Sequence, residues 1–169
     1  ISGDNFLFGN HNLEDSYYFS RYPHVWGWAT WRRAWKHYDV EMKSWPQMCD
    51  QNWLPQLLQN RAAATFWQDV FQTVYEGRID TWDYQWTYAC WKQNGLTVLP
   101  RTNLISNLGF GIDATHTKRQ SHFSNMAVAP LAFPLQHPLQ VARDEQADAC
   151  GQHHREPRDV DVPLPRRGL

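Results

Sequence analysis

The chain has 169 residues, 16 Lys and Arg against 17 Asp and Glu, a formal net charge of -1, and 42% hydrophobic residues. Its length suits one domain with a buried core, or a piece of a larger one. Near-neutrality argues against nucleic acid or an anionic membrane as the main partner, and the apolar runs are too short to span a bilayer, so the sequence reads as that of a soluble protein.

Two features stand out at once. There are ten tryptophans, and the chain starts at Ile1, which reads as a fragment lacking its N-terminal part. Cys49, Cys90 and Cys150 are odd in number and without any C-x-x-C, which argues against a disulfide framework and fits a reducing compartment.

In chain order, "ISGDNF" reads as the end of a buried strand running into the loop "GNHNLEDS", and "YYFSRY" as a short strand. Trp28, Trp31, Trp35 and Tyr38 then recur at helical spacing, which predicts a helix packing these rings into a core. Trp26 and Gly27 precede it, where the glycine permits a sharp turn or the close approach of a ligand. "SWP" at 44 to 46 separates the next elements: a short helix at "NWLPQLLQ", then a longer one from Ala62 to Tyr75 with Phe66, Val70, Phe71 and Val74 inward and Gly77 at its end.

Residues 81 to 94 predict another helix, with Asp80 or Thr81 as cap, Trp82, Trp86, Ala89 and Cys90 on one face, and Gly95 at the C-terminal cap. "LTVLP" and "TNLIS" read as short strands, and "NLGFGIDATHTKR" as a glycine-punctuated loop. Past Phe123 the prolines at 130, 134, 138, 157, 163 and 165 forbid long helices, and the last dozen residues read as a disordered tail. The mixture reads as the second half of an α/β domain, helix-rich with a few short strands.

Asp83 sits in the first turn of its helix, where the macrodipole favours a carboxylate. An aspartate ionised at neutral pH also serves as a general base toward a hydroxyl, and the flanking Trp82, Tyr84 and Trp86 suit the C–H faces of a sugar. His116, with Lys118 and Arg119, is placed to hold a metal or a diphosphate. "DVD" at 159 to 161 mimics an acidic metal motif but lacks a preceding strand.

The order "ISGDNF", "YYFSRYPHVWGWATWRRAWKHYD", "TWDYQW", "NLISNLGFGIDATHT" resembles the C-terminal half of bacterial family-2-like nucleotide-sugar glycosyltransferases, the group labelled hemolytic-protein-like, over roughly Ile1 to Asp148. It is more distantly similar to N-acetylglucosaminyltransferase I type enzymes. The resemblance implies the acceptor-binding part of a GT-A fold over residues 1–123, with a Pro-rich wrapping segment at 124–150 and a tail at 151–169. It implies inverting transfer of a sugar from a nucleotide-diphospho-sugar to a glycan or other hydroxyl acceptor in the bacterial cytoplasm, at or near the inner membrane.

Asp83 would be the base, Trp26, Gly27 and Trp28 would shape the cleft, and Gly3, Asp4 and Asn5 would lie near the sugar. Trp82, Trp86, Lys118 and Arg119 would contact substrate, and His116 would approach Mn²⁺ or Mg²⁺. That metal would be held mainly by a motif expected before "ISGDNF", so the chain alone is expected to be inactive. A non-catalytic carbohydrate-binding module and an inactive fragment are the alternatives.

Overall fold

The computed structural model describes residues 1–108 and 123–153, and these fall into two compact units. The first takes in Ile1–Trp31 and the described residues after Gln93; the second is Arg32–Gln93.

In the first unit β1 (Tyr17–Ser20) pairs antiparallel with β2 (Thr97–Pro100), in a register that sets Tyr17 against Pro100 and Ser20 against Thr97. Tyr18 and Ser20 point inward while Tyr17 and Phe19 are half-buried, the alternation that a pleated strand imposes. Tyr18 and Leu99 pack with Leu7 and with Ala147 of α6 (Glu145–His153). Both outer edges of this ribbon are engaged. The Ser2 N–H donates to Val98 O at 3.0 Å on the β2 side, and Phe19 forms a parallel bridge to Arg143 on the β1 side.

The helix α6 starts at a capping aspartate, since Asp144 Oδ1 accepts from Ala147 N at 2.8 Å. One turn in, the buried Asp148 accepts from Ser20 Oγ (2.5 Å), Arg21 N (3.2 Å) and Arg143 Nε (2.5 Å). A buried carboxylate is tolerable only when paired and hydrogen-bonded in this way, and the pairing locks α6 to β1.

The second unit is helical: α1 (Arg32–Trp35), α2 (Trp45–Asp50), α3 (Trp53–Leu58), α4 (Arg61–Tyr75) and α5 (Asp83–Lys92). Its core is aromatic. Trp67 packs edge-on to Trp91 with ring centres 4.8 Å apart, and Phe71 meets Trp45 at 5.5 Å and Tyr88 at 5.6 Å. The buried Trp45 indole donates to Gln72 Oε1 at 2.9 Å, so the polar atom brought in with the ring is satisfied. Asn60 caps α4 through Ala63 N at 3.0 Å, and Gly77 closes it with φ +69°.

Several expectations change. No helix runs from Trp28 to Tyr38; only Arg32–Trp35 is helical, because the backbone just before it is committed elsewhere. Ala29 exchanges hydrogen bonds with Ile1, N–H to O at 3.0 and 3.1 Å. The three tryptophans are therefore not core: Trp28 is half-buried, and Trp31 and Trp35 are exposed. In α4 the inward ring is Trp67, with Phe66 only half-buried.

Neither "ISGDNF" nor "TNLIS" forms a ladder strand. Side chains take over the pairing: Asn5 Nδ2 donates to Pro100 O (2.7 Å) and Arg101 O (2.8 Å), and Asn103 Nδ2 to Ile105 O (2.6 Å) and Ala127 O (2.9 Å). Asn94 (φ +51°) takes the left-handed position expected of Gly95. The helix α6 crosses residue 150, where the Pro-rich segment was expected to give way to a tail. The cysteines at 49, 90 and 150 are free, and no helix among the described residues is long and apolar enough to cross a membrane.

Candidate functional site

In the second unit the chain reaches α5 through Asp80, Thr81 and Trp82. Neither Asp80 nor Thr81 caps the helix. The N-cap position is Trp82, which makes no side-chain capping bond, and Asp83 is the first helical residue. Thr81 Oγ1 donates instead to Asp83 Oδ1, and Tyr84 N–H donates to the same oxygen at 3.0 Å. Gln85 Nε2 donates to Thr81 O at 2.7 Å, fixing the backbone that carries the threonine.

The result is a half-buried carboxylate with its two oxygens in different states. Oδ1 is occupied, while Oδ2 has no hydrogen-bond partner among the described residues. Asp80 is exposed and makes no comparable contacts, which favours Asp83 of the two acids as the chemically useful one.

Aromatic rings cluster at Trp86, one turn along α5 from Asp83. Trp35 and Tyr38 stack face to face, ring centres 4.4 Å apart and 7° from parallel, and Trp35 also tilts against Trp86 at 5.2 Å. Trp86 is buried and acts as the base of the group, while Trp35 and Trp82 each keep 40% of their surface exposed. The Tyr38 phenol is pushed above its ordinary pKa, first by burial and then by the Asp83 charge, so it stays protonated as a donor at neutral pH. Together these residues offer an acceptor oxygen, a phenol and two exposed indoles, the combination that sugar hydroxyls and C–H faces require.

On the far side of α5, Ser44 Oγ lies 2.7 Å from Tyr88 Oη and receives a bond from Lys92 Nζ at 2.8 Å. Tyr88 is buried, and burial raises its pKa, partly offset by the Ser44 bond. The trio ties α2 to α5.

The first unit holds Gly3, Asp4, Asn5, Trp26, Gly27 and Trp28. Asp4 is fully buried; it accepts from Ser2 Oγ at 2.5 Å and stands 3.3 Å from His24 Nδ1. His24 stacks under Phe6 at 4.6 Å, and Trp26 meets Phe6 edge-on at 5.1 Å. Gly3 N–H donates to Trp26 O at 3.1 Å and its carbonyl accepts from Leu104 N at 2.9 Å. Gly3, Asp4 and Asn5 thus hold the segment against its neighbours, and their polar atoms are directed into the protein.

Trp35, Tyr38, Ser2 and His24 were not read as site features from the sequence. Trp35 was assigned to a core, and nothing in the spacing of Asp4 and His24 signals that they meet. His116, Lys118 and Arg119 lie outside the described residues. Among those described, no group of three or more His, Cys, Asp or Glu side chains is placed to hold a metal ion. No protein-family model, curated protein or solved structure matches the chain.

Proposed function

We propose that the chain supplies the acceptor-binding side of an inverting glycosyltransferase, with Asp83 as general base. The observation that carries this reading is the asymmetry of the Asp83 carboxylate: Oδ1 is held by Thr81 and Tyr84, and Oδ2 has no hydrogen-bond partner among the described residues, with the exposed Trp82 next to it in the chain. An acceptor sugar lies with a C–H face on an indole and one hydroxyl on Oδ2. As that hydroxyl oxygen attacks the anomeric carbon of a nucleotide-diphospho-sugar, its proton passes to Oδ2. The bond from the anomeric carbon to the diphosphate breaks, and the configuration inverts. Tyr38, kept protonated, donates to a second acceptor oxygen.

The resemblance puts a divalent metal at the leaving diphosphate, toward His116, which lies outside the described residues; the steps given are those of the acceptor side. A nucleotide-sugar donor is a cytoplasmic metabolite, and the bacterial cytoplasm is the compartment that fits.

The test is transfer from nucleotide-diphospho-sugars by the full-length gene product, wild type against Asp83→Asn. Loss of about 10²–10⁴ in rate with acceptor binding retained is the expected result. Unchanged turnover in Asp83→Asn would remove the base from Asp83. The exposed indoles favour a second reading, a carbohydrate-binding module. It is the correct one if the wild-type protein binds glycans and transfers none.

A further inference from the structure

We infer that Thr81 and Gln85 are positioning residues for the transfer, acting through Asp83 and not on the sugar; the inference rests on the reading of Asp83 as the base. A threonine just before a helix ordinarily lends its hydroxyl oxygen to the amide groups of the first turn. At α5 the Thr81 hydroxyl donates to Asp83 Oδ1 instead, and the N-cap position falls to Trp82, whose side chain makes no capping bond. The helix start forgoes a stabilising cap and gains a held carboxylate.

Gln85 fixes the threonine in turn. It lies in the first turn of α5, where a glutamine commonly reaches back to a backbone N–H at the helix start. Thr81 presents a carbonyl, so the Gln85 amide must turn its nitrogen toward it, and Nε2 donates at 2.7 Å. That orientation leaves Gln85 Oε1 buried and with no hydrogen-bond partner among the described residues, in a side chain only 5% exposed. A buried acceptor without a donor is destabilising, and local costs that the element itself does not offset gather at functional sites.

What the pair secures is direction. A carboxylate that turns freely about its Cβ–Cγ bond offers either oxygen along many lines. Held at Oδ1 by Thr81 Oγ1 and by Tyr84 N–H at 3.0 Å, Asp83 offers Oδ2 along one line. A small misplacement of a reacting group is enough to cost a large part of the rate.

Isosteric variants separate position from packing. Thr81→Val keeps the shape and loses the hydroxyl, Thr81→Ser keeps the hydroxyl and loses the methyl, and Gln85→Met keeps the length and loses the amide. Transfer by the full-length gene product is measured from UDP-, GDP- and dTDP-hexoses to p-nitrophenyl glycosides. Thr81→Val and Gln85→Met should lower kcat about 10–100-fold with KM unchanged, while Thr81→Ser stays within about threefold of the wild type. A packing role gives the opposite order at Thr81, with serine the worse of the two.

The carboxyl-carbon NMR resonance of Asp83, assigned with Asp83→Asn in aspartate-labelled protein, decides without any substrate. It should move in Thr81→Val and Gln85→Met and stay in Thr81→Ser. If Gln85→Met does not unfold cooperatively, the two Thr81 variants decide alone. A resonance that none of the variants moves overturns the positioning roles. Full turnover in Thr81→Val and Gln85→Met, with Asp83→Asn inactive, overturns them too and leaves the base in place. Unchanged turnover in Asp83→Asn removes the base and this inference with it.

Discussion

At Gly27 the backbone has φ +56°, and a Cβ built there would stand 2.9 Å from Ile105 Cγ2. Strain and steric conflict act together, so Gly27→Ala is expected to destabilise by about 1–3 kcal/mol in urea denaturation. Ile105→Ala in the same molecule should recover only the steric share, giving a non-additive cycle. The glycine's turn was legible in "HVWGW", but the residue it must avoid lies far along the chain and was not. Cys90 supplies a second residue-level test. Burial pushes its thiol from 9.0 up to about 12. Between those values the unfolded chain gives up the proton and the native state keeps it. The Cys90 contribution is thus complete below about pH 9 and is lost as pH rises toward about 12. Unfolding free energy measured along that range should fall with pH, and less steeply in Cys90→Ala.

Among the elements, α4 and α5 differ in how they begin. Asn60 caps α4, and Asn60→Ala should cost about 1 kcal/mol by urea denaturation. The N-cap of α5 is Trp82, whose side chain makes no capping bond. Trp82→Asp is accordingly expected to stabilise by about 0.5–2 kcal/mol while weakening glycan binding. A variant that gained stability and kept full binding would exclude Trp82 from the sugar surface. The helices α3, α4 and α5 and the strands β1 and β2 were readable because local pattern and packing agree in them. The tryptophan helix was not, since the Ala29–Ile1 pairing claims the backbone at its start. The misplacement matters at the candidate site. Freed from a core, Trp35 becomes an exposed ring packed on Tyr38 and Trp86. The helix α6 was missed for another reason: it is fixed through Asp148, whose partners Ser20 and Arg21 are remote in sequence.

For the molecule as a whole, the two units have separate cores, one built on Leu7, Tyr18, Leu99 and Ala147, the other on aromatic rings packed edge to face. Phe71 is fully buried among Trp45, Trp67, Tyr88 and Trp91, so Phe71→Ala should cost about 3–5 kcal/mol and erase much of the near-UV circular dichroism. The abundance of tryptophan made an aromatic core predictable, though the sequence did not show which rings would enter it. Asp83 stood out in the sequence as a candidate through the resemblance and the tryptophan before it. Its occupied and unoccupied oxygens did not, because they depend on how Thr81 turns just before the helix.

The antiparallel ribbon joins Ser20 to Thr97, and the entire helical unit lies between these partners in the chain. During synthesis the ribosome therefore delivers every residue of Arg32–Gln93 before β2 exists. The helical unit, built from neighbours in sequence, can fold while β1 waits with its hydrogen-bonding edge open. A released chain truncated just before Thr97 would carry a folded aromatic core and an unpaired strand, the state on which chaperone binding or misassembly would act.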